Sequence, residues 1–287
     1  MSFFSHDTGT AVAIRFLRDY AEFGAFSHTV ASDAFKGAMA TAKSGREKKL
    51  LAAKSFMELM NAIEDLAGLC VAIKHREEGL GLIYGFVMYD RNDKNAPSTK
   101  IFEFYDAIER GEDPIKFLGF PTLEEIKQAN IELSKGVLNH LRTEMIRLGS
   151  LESGRKFETN DLMERLYADL RRVFGSAAKN STAQNKLLVR AYNQVKHGFK
   201  VIENTNVFGN TPFSLNDEQC LIILRNPAYL PGQSHSEPVL DFWRVDAKDF
   251  EGIVTTIGLL GKAAKVICLL TAAFLEGRQI KTSDEKV

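Results

Sequence analysis

Along most of this chain apolar residues recur at the three-and-four spacing of an amphipathic helix. Residues from about 8 to 24 (TGTAVAIRFLRDYAEFG) open the series. Ser32–Lys43 reads as a second short helix, entered through Ser32 or Asp33 as a cap. From Arg46 to Glu78 no proline interrupts a broad apolar stripe through Leu50, Leu51, Phe56, Leu59, Met60, Ile63, Leu66, Ala67 and Cys70. Its acids are Glu58, Glu64 and Asp65. Glu64 and Asp65 lie inside an otherwise apolar stretch, where a base from another helix is the expected partner.

The pattern then loosens. Leu80–Tyr89 (LGLIYGFVMY) is aromatic and broken by Gly81 and Gly85, so helix and strand remain in competition. Asp90–Ser98 is a loop. Its acids resemble those of a calcium loop, but Lys94 occupies a ligand position and no Glu closes it, which argues against a metal. Thr99–Glu109 reads as a short helix and Pro114–Pro121 as a break. Thr122 and Glu125 form a capping box that opens a helical run to about Leu148. Gly149–Lys156 is a linker, and Thr159 or Asn160 caps a helix through Leu162, Leu166, Leu170 and Val173. Arg165, Arg171 and Arg172 lie on its outer side. Gly175–Ser181 reads as a loop.

Lys186–Lys200 (KLLVRAYNQVKHGFK) is the stretch with the most chemistry. Arg190, Asn193 and His197 fall at i, i+3 and i+7, on one helical face, while Leu187, Leu188, Ala191 and Val195 are its apolar positions. After Phe199 come short β-prone runs, Val201–Val207, Cys220–Arg225 and Val239–Val245. Turn residues separate them, as in a small antiparallel sheet. Ala247–Arg278 closes the chain as a long helix ending near Gly277. The expected fold is mainly α: a helical bundle with a small antiparallel β insertion, about residues 201–245, before the last long helix. The expected domains are an N-terminal helical region, 1–120, and a helical region with the insertion, 121–287.

Composition narrows the partners. Acidic and basic residues balance at 37 each, so no global positive field marks the chain as a constitutive nucleic-acid binder. The three cysteines, Cys70, Cys220 and Cys268, have no metal or redox spacing, and their apolar neighbours predict buried free thiols. His6, His28, His75, His140 and His235 make no ligand pairs either, so no metal and no cofactor is expected. The N-terminus lacks the basic and apolar regions of a signal peptide. Ile253–Phe274 is the best membrane candidate, but it carries Lys262 and Lys265, each costing ~2.5–3.5 kcal/mol near a bilayer centre. A core helix with one wet edge in a cytoplasmic protein without a membrane partner is the expectation.

Arg and His on one face make a minimal metal-free phosphodiester site. The His exchanges a proton, and the Arg holds a phosphate with forked donors. On RNA the 2′-hydroxyl would be the nucleophile. One helix supplies one copy of each group, so a symmetric second chain would complete the cleft. Asn193 would orient either group. Tyr192 either stacks a base or packs in a core; Lys186, Lys196 and Lys200 either contact phosphates or are solvated. The plain alternative is a hydrogen-bonded cluster that ties this helix to its neighbours.

The wording RAYNQVKHGF resembles the signature of the HEPN superfamily (higher eukaryote and prokaryote nucleotide-binding), an Arg, four to six residues, then a His. Six residues separate Arg190 from His197. The resemblance spans about residues 122–278, with 46–78 as a further bundle helix carrying the supporting acids Glu64 and Asp65. It implies an all-α, HEPN-like bundle and a dimeric, metal-independent endoribonuclease. Such proteins serve in toxin–antitoxin, phage-defence or RNA-processing systems, so the implied partners are RNA, a second copy, and an antitoxin or other regulatory protein. His197 would be the catalytic base or acid, Arg190 the phosphate partner and Asn193 the orienting residue; Tyr192, Lys196 and Lys200 would bind substrate. The commonest motif has its polar residue directly after the Arg. Here Ala191 follows Arg190, and Tyr192 stands where that form has its Arg. Non-catalytic HEPN-like binding or regulatory modules are the alternative.

Overall fold

The computed structural model describes residues 9–76, 81–88, 100–128, 143, 159–181, 201–202, 215, 219–225 and 240–284. The described chain is mainly α. Its helices are α1 (Thr10–Glu22), α2 (Gly24–Thr41), α3 (Gly45–Lys74), α4 (Leu82–Met88), α5 (Lys100–Glu109), α6 (Pro114–Phe117), α7 (Leu123–Gln128) and α8 (Thr159–Ser181). Strands β1 (Val201–Ile202), β2 (Gln219–Arg225) and β3 (Leu240–Asp246) follow. A 3-10 turn, Ala247–Asp249, leads into α9 (Phe250–Asp284). The small antiparallel sheet thus precedes the last long helix, as the β-prone runs predict. The chain forms two compact units that interleave along the sequence, residues 1–29, 63–182 and 259–287 in one and 30–62 and 183–258 in the other.

The first unit is built on the apolar faces of its helices. Leu66, Leu69 and Ile73 of α3, Phe104 and Tyr105 of α5, and Met163, Tyr167 and Phe174 of α8 are all buried. Phe104 meets Phe174 and Phe117 edge-on, with centroids 5.1 and 5.0 Å apart, the arrangement that aromatic quadrupoles favour. The chain between α5 and α7 makes two tight reversals. Gly111 ends α5 at φ +88° and Gly119 ends α6 at φ +64°, in the left-handed region that glycine enters without a Cβ penalty. At each, the following N–H reaches back to the helix, from Glu112 to the Ala107 carbonyl and from Phe120 to the Ile115 carbonyl. Asp113 caps α6 by accepting from the Ile115 N–H at 3.1 Å. Its carboxylate also takes two bonds from Arg171 of α8, at 3.0 and 2.7 Å. The capping box forms as read: Glu125 accepts the Thr122 N–H at 2.7 Å, and Thr122 Oγ1 accepts the Glu125 N–H at 3.2 Å.

In the second unit β2 pairs antiparallel with β1, Val201 opposite Ile222, and with β3, Gln219 opposite Asp246 through Arg225 opposite Leu240. Asp246 ends β3, caps the 3-10 turn through the Lys248 N–H at 3.1 Å, and accepts from Gln219 Nε2 at 2.9 Å. Cys220 is buried, with its thiol 3.7 Å from the Lys49 carbonyl. All three cysteines are buried thiols outside any disulfide.

Several boundaries differ from the sequence reading, each for a packing reason. Ser32 does not cap a helix. It lies inside α2, buried, and donates its hydroxyl to the Val254 carbonyl at 2.8 Å, a sink the sequence does not show. Gly175–Ser181 is helical, not a loop, because Phe174, Ala177 and Ala178 extend the buried stripe of α8 past the glycine. Leu82–Met88 is a helix, packed on α1 through Phe86, Phe16 and Tyr20. The last helix continues past Gly277 to Asp284. Ala247–Glu276 is long and apolar enough to cross a membrane by length and composition, and 67% of its most apolar window is buried within the protein. Lys265 does not form a wet edge. It is buried, with Nζ 3.3 Å from Glu22 Oε1, which supplies the countercharge a buried ammonium needs.

Candidate functional site

The Arg–Asn–His face and its neighbours, Arg190, Tyr192, Asn193, Lys196, His197 and Lys200, lie outside the described residues, as do Lys186 and His140. Of the sequence-derived set, the structure places the two acids, Glu64 and Asp65, both half-buried on α3 within the first unit.

Asp65 meets a base from another helix, His28 of α2. The imidazole is buried, its side chain 6% exposed, while the carboxylate is 38% exposed. Nε2 lies 3.0 Å from Oδ2. An ionised carboxylate only accepts, so Nε2–H is the donor and carries the ring's proton in the neutral form. His28 reaches this point because Ala25, His28 and Ser32 recur at helical spacing along the buried side of α2. That side runs close to α9. A Cβ on Gly261 would lie 2.8 Å from the Ala25 carbonyl oxygen and 3.1 Å from His28 Cβ. The glycine therefore permits the backbone approach that seats the imidazole.

Other protic groups surround Asp65. Burial raises the Tyr20 hydroxyl's pKa well above its ordinary value, and the charges of Asp65 and Cys268 add to the shift. Tyr105 is raised mainly by full burial, then by Cys70 and Asp65, and its hydroxyl donates to the Ile63 carbonyl at 2.6 Å. Burial also raises the Cys70 and Cys268 thiols, which keeps them protonated and poor as nucleophiles. The solvent-facing group of the cluster is thus the Asp65 carboxylate, and His28 stands behind it. A buried imidazole aimed at a carboxylate orients that carboxylate and ties α2 to α3; it does not offer a base to a substrate from solvent.

Sequence spacing missed His28, because its partner is 37 residues away on a separate helix. The available signal was its place in the Ala25–His28–Ser32 stripe, which marks a buried polar residue in need of a partner. Among the described residues, no group of three or more His, Cys, Asp or Glu side chains is placed to hold a metal ion. No protein-family model, curated protein or solved structure matches the chain.

Proposed function

We propose that this chain is a HEPN-type, metal-independent endoribonuclease acting as a homodimer, in the manner of a toxin or phage-defence effector held by a regulatory partner. The observation that carries the reading is the sequence RAYNQVKHGF, with Arg190 and His197 six residues apart on one predicted face. A mainly α chain whose antiparallel strands precede a long closing helix is compatible with it. In this reading His197 takes the proton of an RNA 2′-hydroxyl, and that oxygen attacks the adjacent phosphorus. The 5′-oxygen leaves with a proton from the His197 of the second copy, and a 2′,3′-cyclic phosphate remains. Arg190 stabilises the charge on the phosphoryl oxygens, and Asn193 orients the pair. Asp65 is engaged with His28, which ties α2 to α3.

The test is cleavage of RNA by the purified chain in the presence of a chelator. Wild type cuts, and His197→Ala lowers the rate by about 10²–10⁴-fold while its melting temperature is kept. Wild-type protein that leaves RNA uncut overturns the reading. It would favour the second reading, a HEPN-like binding or regulatory module, to which Ala191 after Arg190 and the tyrosine at 192 already lend weight. That module would lose partner binding or stability, and no cleavage, when His197 is replaced.

A further inference from the structure

We draw no further inference here: the strongest candidate, the exposed apolar patch of Phe23 and Phe26 where α1 gives way to α2, carries nothing because nothing in the structure shows what covers it.

Discussion

Helices α8 and α9 are both long and both contribute to the first unit, yet they relate to solvent in opposite ways. In α8, Met163, Leu166, Tyr167, Leu170, Phe174 and Ala177 are buried, while Asp161, Glu164, Arg165, Arg171 and Arg172 are exposed. From Leu260 to Ala273 in α9, every residue but Lys262 is buried. A one-sided helix carries its orientation in its own pattern, because each polar residue avoids the cost of losing water. An enclosed helix carries only the demand that other segments cover it. Its orientation is set by what they present.

That contrast is breakable. The largest effect belongs to the enclosed helix. Leu270→Ala should cost about 2–5 kcal/mol, since it removes buried methyl groups and leaves a cavity. Arg172→Ala on the outer side of α8, whose side chain is 69% exposed, should stay within about 0.5 kcal/mol. Urea unfolding of both variants decides it, and similar losses would show that α8 is as enclosed as α9.

The glycines give a sharper version. Gly175 in α8 has open space where a Cβ would be, so Gly175→Ala should stabilise by about 0.5–1 kcal/mol through helix propensity. In α9 a Cβ on Gly261 would meet the Ala25 carbonyl oxygen at 2.8 Å, and backbone yields less readily than a side-chain end. Gly261→Ala should therefore destabilise, by about 1–3 kcal/mol. The same substitution with opposite signs in thermal melts is the expected result. Stabilisation at both positions would refute the close approach of α2 to α9.

The smallest effect tests how α8 is anchored. The Arg171 guanidinium, aided by the Ile115 N–H, holds the Asp113 carboxyl below its ordinary pKa despite an opposing contribution from burial. A folded-state pKa below the unfolded one means stability that is fully present above about pH 4 and is lost as the pH falls through the folded value. With both side chains more than 40% exposed, solvent screens the pair, and its worth is about 0.2–1 kcal/mol. Asp113→Asn should lower stability by that amount at pH 7. The gap to wild type should close in acid; a gap that persists at pH 2 would assign the loss to the cap rather than to the charge.

How far the chain was legible varies with the range of the interaction. The capping box at Thr122 and Glu125 and the existence of a helix through Leu162 and Leu170 follow from residues three or four apart, but that helix begins at Thr159, with Thr159 and Asn160 inside it rather than capping it, and runs on to Ser181. Ser32 was misread as a cap because a hydroxyl at that position suits either a helix start or a buried carbonyl, and the carbonyl belongs to Val254. Asp65 was recognisable as an acid in need of a base, but nothing local pointed to His28. The Arg190–His197 face is a matter of sequence alone.

What the sequence by itself determined is therefore what depends on neighbours along the chain: the helical rhythm, the capping box, the strand-prone stretch before the last helix and the spacing of the Arg–Asn–His face. Only the tertiary structure decided which histidine Asp65 holds, why Gly261 must be a glycine, and that Lys265 is buried against Glu22. The physical reason is the same in each case. Periodicity and caps are settled within a turn or two of helix, whereas the partner of a buried polar group lies wherever the fold brings a second helix, and a polar residue alone does not encode that distance.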